Sequence, residues 1–193
     1  AGGNANNLKE ARKTLERAIK KGGMIGRGMR TRIYLGYNPF GPDSSLVSRY
    51  TGFLNCPADG EYLFSITSNH ASFLVIDEKP AVQKPGWHGV VRQSKFRKAL
   101  RLEKGVHTLV CYHVNKHHDP RVVVAWRPPG EEKIRVIPGG AFLPFFRGTA
   151  GAIEKKGGVV DIDFFVTHAG ETFLKNRYHQ RYVFKAVQTG TVP

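Results

Sequence analysis

Cysteine is scarce: Cys56 and Cys111 are the two thiols in 193 residues, too few for a disulfide framework and without metal-ligand spacing. Each lies in or beside an apolar strand pattern, so they read as buried free thiols, with a single bridge as the alternative. Long apolar runs are missing as well. No stretch of about 18 apolar residues occurs, so nothing in the sequence is predicted to span a membrane. Acidic residues are few, 15 Asp and Glu against 30 Lys and Arg, and the formal net charge is +15. That exceeds what solubility requires and attracts polyanions. The candidates are nucleic acid, an acidic or sulfated polysaccharide and an anionic envelope surface; a solvated basic face, or one offset by an acidic partner, is the plainer reading.

Catalytic signatures are also lacking. There is no nucleophile elbow, no H-E-x-x-H pair and no phosphate-binding glycine loop. Gly26-Arg27-Gly28-Met29-Arg30 has the glycines of such a loop, but no strand pattern precedes it and no helix pattern follows. Asp161 and Asp163 share a strand face, where solvated carboxylates are commoner than acid–base pairs. The sequence therefore predicts a non-enzymatic chain with no cofactor.

What is present is β-rich. The chain carries 22 Gly, 11 Pro, 12 Phe and 7 Tyr, and its apolar runs are short and punctuated by turn residues. One helix is predicted over residues 8–21, where Leu8, Ala11, Leu15, Ala18 and Ile19 recur at helical spacing opposite a basic face of Lys9, Arg12, Lys13, Arg17, Lys20 and Lys21. Asn7 and Glu10 suit a capping box, and Gly22-Gly23 a stop. The apolar stripe suits packing on a neighbouring layer; a membrane surface or an acidic partner is the alternative for the basic face.

From Ile33 onward strands are predicted at 50–54, 61–67, 72–77, 106–114 and 121–126, with turns at Pro57-Ala58-Asp59-Gly60 and at Ser68 to Ala71. With no helical pattern between them, these strands imply antiparallel pairing in two packed layers. The predicted fold class is all-β, an antiparallel jelly-roll-like β-sandwich with an N-terminal helix and extra C-terminal strands. Tyr62, Phe64, Ile66, Leu74, Ile76, Val110, Tyr112, Val124 and Trp126 are its expected buried residues.

Three parts are expected: 1–32 as helix and basic linker, 33–147 as sandwich, and 148–193 as a Gly-rich linker followed by the start of a second β region. In that region Val160 to Val166 and Tyr178 to Val187 read as strands. Roughly 36 residues cannot bury a sandwich core alone. The tail is thus either the opening of a truncated domain or additional strands on the main body. The first residues lack a signal-peptide profile, which a mature chain would have lost, and the last suit a cut through a longer protein.

Several segments carry a resemblance in order. Arg49-Tyr50-Thr51-Gly52-Phe53-Leu54 leads to Cys56-Pro57-Ala58-Asp59-Gly60-Glu61-Tyr62-Leu63-Phe64-Ser65-Ile66, a strand, a tight turn and a strand with aromatics on one face. Ser68-Asn69-His70-Ala71-Ser72-Phe73-Leu74-Val75-Ile76-Asp77 follows, then Leu102 to His107, Ala125-Trp126-Arg127-Pro128-Pro129-Gly130 and Ile137-Pro138. Together they resemble the anthrax protective-antigen domain family over roughly residues 45–144. The resemblance implies a β-sandwich of the kind found in yeast adhesins, bacterial glycosidases and toxins, usually as a carbohydrate-binding or adhesive module at the cell surface or outside the cell.

In the calcium-dependent lectins of that family, two aspartates in the first loop hold the ion. Asn69 and His70 stand at those positions here. Neither carries the formal negative charge that a hard cation seeks, so calcium binding is expected to be poor. The neighbouring loop is Asn115-Lys116-His117-His118-Asp119-Pro120, whose imidazoles and carboxylate could join His70 around a transition metal or be a solvated turn. Trp87-His88 sits in a Pro- and Gly-rich loop, where the indole either stacks on a sugar face or base or closes one end of the sandwich. Trp126 alternates with Val122 and Val124 and belongs to the core. Arg92, Lys95, Arg97, Lys98, Arg101 and Lys104 surround Phe96, but no nucleic-acid motif accompanies them.

The ligand-binding candidates are therefore Asn69, His70, Trp87, His88, Asn115, His117, His118 and Asp119, with no metal assigned. The expected function is a non-catalytic, extracytoplasmic module, extracellular, surface-bound or periplasmic, that binds carbohydrate without calcium and favours anionic glycans. The alternative is a structural interaction domain that docks an acidic protein partner.

Overall fold

A computed structural model describes residues 5–23, 26, 28, 30–90, 95–117 and 119–143, and the backbone of 145–151 and 159–165. Two compact units are present, Ala1–Phe142 and Leu143–Pro193.

The first unit opens with α1 (Leu8–Lys20). Its start is fixed by side chains: Asn7 Oδ1 accepts from Glu10 N at 2.9 Å, while Glu10 reaches back to Asn7 Nδ2 at 2.9 Å and to Asn6 N at 2.8 Å. Such caps satisfy donors that the first turn leaves unpaired. The helix ends on Gly22, at φ +68°, with Gly22 N donating to Ile19 O at 3.0 Å and Gly23 N to Ala18 O at 2.9 Å. This crossed pair requires the left-handed residue that glycine supplies.

Nine short or long strands and a 3-10 turn follow before the second unit: β1 (Tyr34–Leu35), β2 (Leu46–Cys56), β3 (Gly60–Ser68), β4 (Ala71–Ile76), β5 (Lys79–Lys84), β6 (Arg97–Leu102), β7 (Gly105–Asn115), β8 (Val122–Arg127) and β9 (Arg135–Val136), then the turn Gly139–Ala141. One sheet runs β1-β8-β3-β6, with β9 also on β8; the other runs β2-β7-β4-β5, with β10 (Phe142–Leu143) beside β2. Every described pairing is antiparallel. The predicted sandwich is what forms.

Between the sheets, Tyr62, Phe64, Ile66, Val122, Val124 and Trp126 meet Leu54, Cys56, Leu74, Ile76, Leu109 and Cys111. Both cysteines are buried and free. Tyr62 packs on Trp126 at 5.5 Å and on Phe64 at 6.3 Å between ring centroids. Truncating a fully buried member such as Phe64 or Leu74 to Ala costs about 2–5 kcal/mol.

A third layer covers the β2-β7-β4-β5 sheet. Leu8, Ala11 and Leu15 of α1 pack on Phe73, Val75, Tyr112 and Val114, and the Arg12 guanidinium lies 5.7 Å from the Tyr112 ring centre. The sheet is thus apolar on both faces, which explains the unbroken buried run Ala71–Ile76. It also revises one expectation. Tyr112 lies buried beneath the helix and Val110 partly buried there, whereas Leu109 and Cys111 hold the inter-sheet side of β7.

Among the described strands, β5 and β6 went unpredicted, as did the two-residue β1, β9 and β10. β5 begins Lys79-Pro80, and Arg97, Lys98 and Arg101 of the basic cluster around Phe96 lie on the edge strand β6. In the second unit, β11 (Phe145–Gly151) pairs with β12 (Val159–Phe165) as an antiparallel hairpin. The Gly-rich stretch that opens the expected 148–193 part thus contributes residues 148–151 to β11. The strand predicted at 178–187 lies outside the described residues.

Candidate functional site

Register decides which loops meet. Ser68 pairs with Val122, Ala71 with Val114, Ser72 with Lys84 and Leu46 with Asn115. The chain segments 36–45, 69–70, 85–90, 95–96, 116–117 and 119–121 therefore share one end of the sandwich.

The floor of this rim is the two-residue turn Asn69–His70. His70 takes φ +58°, a left-handed conformation uncommon outside glycine but tolerated in such turns. Neighbours hold it there. Asn69 N donates to Arg121 O at 2.8 Å and His70 N to His88 O at 2.9 Å, while Asn69 Nδ2 donates to Asp119 O at 2.9 Å. Beneath them the buried His113 donates its Nε2–H to Asn69 O at 2.7 Å. Burial pushes the His113 pKa down to about 4, the Asn69 carbonyl opposing. This imidazole is a neutral brace.

Above the floor, three rings converge. The Trp87 ring centre lies 5.2 Å from that of His117 and 6.1 Å from that of His70, and the two imidazoles are 5.7 Å apart. Lys116 Nζ stands 5.2 Å from the Trp87 ring centre, a cation–π distance. Trp87 is 62% exposed and His70 7% exposed, so the indole forms the wet lip and His70 the dry floor. Among the described residues, His70 Nδ1 is buried without a hydrogen-bond partner. Burial lowers the His70 pKa, and the charges of His117, His88, Lys84 and Lys116 lower it further.

The remaining candidates fall around this group. His88 is half-buried and stacks on Phe96 at 6.0 Å; its Nδ1 donates to Gly89 O at 3.1 Å, and its Nε2 is buried without a partner among the described residues. Burial lowers its pKa. Asn115 is buried, its amide donating to Asp43 O at 2.8 Å and to His117 O, so it braces the loop from below. Asp119, at φ +63°, pairs with Arg121 at 3.3 Å. His118 lies outside the described residues. The site thus joins His70, Trp87 and His117 directly, with Asn69, His88, Asn115 and Asp119 shaping the loops.

Sequence reasoning missed Lys116 and Lys84 as site residues. Lys116 lay inside a quoted loop, but a lysine in a polar turn carries no signal of its own. Lys84 reads as an ordinary strand-end lysine before Pro85-Gly86, yet its side chain is wholly buried. Among the described residues no group of three or more His, Cys, Asp or Glu side chains is arranged to hold a metal ion. No described helix is long and apolar enough to cross a membrane.

At the opposite end of the sandwich, a second polar cluster ties turns together. Asp77, at φ +45°, accepts from His107 Nδ1 at 2.6 Å, from Thr108 N at 2.8 Å and from Thr108 Oγ1 at 3.2 Å. His107 Nε2 bonds Glu103 O at 2.9 Å. With both ring nitrogens engaged, this pair is a structural tie. A shallow concavity lined by Asp59, Arg101, Leu102 and Glu103 lies at the same end, away from the Trp87 rim.

Comparison with known proteins agrees with this architecture. The PA14 domain of the MpAFP antifreeze protein superposes with a TM-score of 0.55 at 10% identity, covering 74% of this chain and 85% of that one. The PA14 sugar-binding domain from an RTX adhesin gives 0.51 at 12% identity, covering 72% and 87%. An anti-sigma factor domain-containing protein from Clostridium clariflavum gives 0.51 at 18% identity over 69% of this chain. The chain spans about half of that protein's length, 53%. At such identities the likeness speaks for the fold alone. No curated protein matches. The family profile described as PA14 domain matches residues 32–140, more than half of the sequence and all of β1 to β9, and the chain belongs to the PA14 domain family.

Proposed function

We propose that the chain is a non-catalytic carbohydrate-binding or adhesive module, working outside the cytoplasm, that takes an anionic glycan at the Trp87 rim without calcium. The carrying observation is the exposed indole of Trp87 flanked by His70, His117 and Lys116. An indole face offers an apolar platform for the C–H face of a sugar ring, and the adjacent cation and imidazoles offer donors to a carboxylate or sulfate. The net charge of +15 raises the local concentration of polyanions. The nearby Asp119 carboxylate is paired with Arg121. Asn69 and His70 bring no carboxylate to the turn, which disfavours a hard cation. The sugar-binding RTX adhesin domain is support by analogy of fold.

A glycan array with neutral, uronic-acid and sulfated ligands tests this. Acidic glycans should bind, a chelator should change nothing, and Trp87→Ala should weaken binding about tenfold, the equivalent of losing one aromatic contact near 1.4 kcal/mol. Silence across the array, or undiminished binding by Trp87→Ala, overturns it. A second reading has its own observation: α1 buries its apolar stripe and leaves Lys9, Arg12, Lys13, Arg17 and Lys20 exposed, a face suited to an acidic protein partner. Array silence together with specific capture of an acidic protein, lost on reversing those charges, favours it.

A further inference from the structure

The Trp87 loop rests on a buried amine. The Lys84 side chain, at the end of β5, is 0% exposed. Its ammonium donates to Ser68 O and, at 3.5 Å, to Gly89 O, and it stands 5.4 Å from the Phe96 ring centre. No ion pair among the described residues includes it. An ammonium withdrawn from water without a carboxylate is costly, and a methionine would fill the same space without that cost. The position of its acceptors shows what the charge achieves. Ser68 directly precedes Asn69–His70, and its hydroxyl also donates to His70 O at 3.0 Å. Gly89 directly follows Trp87–His88, and the two segments meet where His70 N donates to His88 O at 2.9 Å.

We propose that Lys84 is a positioning residue of this site, a built-in cation that clamps the Trp87 loop to the β3–β4 turn and so sets the indole above His70. The ligand named for the site rests on the glycan reading; the clamp does not. The charged and titratable groups around the ammonium are His70 on the turn, His88 on the Trp87 loop, His113 on β7, and Lys116 with His117 beyond His70. None is a carboxylate, so among the described residues nothing there neutralises the ammonium. Burial is the main cause lowering the pKa of His70, His88 and His113, and the Lys84 charge adds to it in each. The clamp thereby adds to burial in holding all three imidazoles toward the uncharged form. Burial in turn pulls the Lys84 pKa down to about 8, so mild alkali releases the clamp.

The test compares wild type, Lys84→Met and Lys84→Arg by tryptophan emission from pH 6 to 10, by NMR titration of the histidines and by glycan affinity. Trp126 is buried in every variant and gives a constant background. Wild type should show an emission step with a midpoint near pH 8. Lys84→Met should lack that step, its His70 and His88 should titrate at higher pH, and its glycan affinity should fall about tenfold, the effect of losing one charge-assisted bond at each loop. Lys84→Arg should keep the affinity up to pH 9.5 without the step. A methionine variant with wild-type emission, histidine titrations and affinity overturns the proposal. If that variant does not fold, the wild-type titration decides, and absence of an emission step between pH 7 and 9.5 overturns it. The two spectroscopic arms need no glycan, so failure to find a ligand leaves this test intact, while equal binding by wild type and Lys84→Met refutes the clamp and spares the glycan reading.

Discussion

Replacing Tyr62 by Phe separates two contributions that the turn preceding β3 combines. The ring is buried between Phe64 and Trp126, and Phe retains all of that contact. The hydroxyl donates to Ala58 O at 2.8 Å and accepts from Ala58 N at 3.3 Å, closing the Pro57-Ala58-Asp59-Gly60 turn. Ala58 itself is exposed, so water can reach the backbone groups that the hydroxyl abandons. The loss should therefore be that of a hydrogen bond exchanged for hydration, about 1 kcal/mol, and not the larger penalty of orphaned buried groups. Tyr62→Ala removes the ring as well and should cost about 3–5 kcal/mol through lost burial and the remaining cavity. Urea denaturation followed by far-UV circular dichroism measures both, and the slopes should match wild type if the unfolded chain is unchanged. A Phe variant as unstable as the Ala variant would show that the turn, not the ring, organises this edge of the core. A Phe variant equal to wild type would show that the hydroxyl contributes nothing.

The Asp77–His107 tie should make stability depend on pH in a defined window. Burial lowers the His107 pKa, but the bonds to Asp77 and Glu103 O outweigh it and leave the pKa above 6.5, so its contribution is complete below pH 6.5 and lost as pH rises through the folded value. Burial raises the Asp77 pKa, but His107 and Thr108 outweigh it and leave the pKa below 3.8; its contribution is present above pH 3.8 and lost as pH falls through the folded value. Melting curves should thus show wild type gaining on Asp77→Asn most strongly between these limits, and parallel curves from pH 3 to 8 would refute the tie. Burial pushes the Cys56 thiol up to about 11 and Cys111 up to about 12, so both should resist a thiol reagent at pH 8 until denaturant unfolds the chain; stoichiometric labelling of the native protein would show that the core is open.

Trp87 shows how far the sequence reached into the site. A tryptophan in a Pro-Gly loop can stack on a ligand or seal the sandwich, and nothing local separates the two. The fold leaves it 62% exposed, with the buried His70 beneath it and the exposed His117 beside it. Asn69 was legible as a place where the acidic first loop of the calcium-dependent lectins is missing, since residue type alone sets formal charge. Its partners were not, because Asp119 and Arg121 lie about fifty residues away.

The sequence by itself determined what depends on near neighbours. Asn7, Glu10 and Gly22-Gly23 delimit α1 through bonds within five residues. The alternation Tyr62, Phe64, Ile66 and Val122, Val124, Trp126 marks the strands, since successive strand residues point to opposite faces. Only the tertiary structure decided what depends on register and on layers. β7 is apolar on both faces, so its pattern could not tell the side that meets the other sheet, Leu109 and Cys111, from the side that meets α1, Tyr112 and Val114. Lys84 looks solvated in sequence and is buried because Ser72 pairs with it at the end of β5, placing its amine under Phe96 and beside Ser68 O. A lysine's local propensity is the same on either side of a strand; burial is a property of the neighbours that the pairing brings.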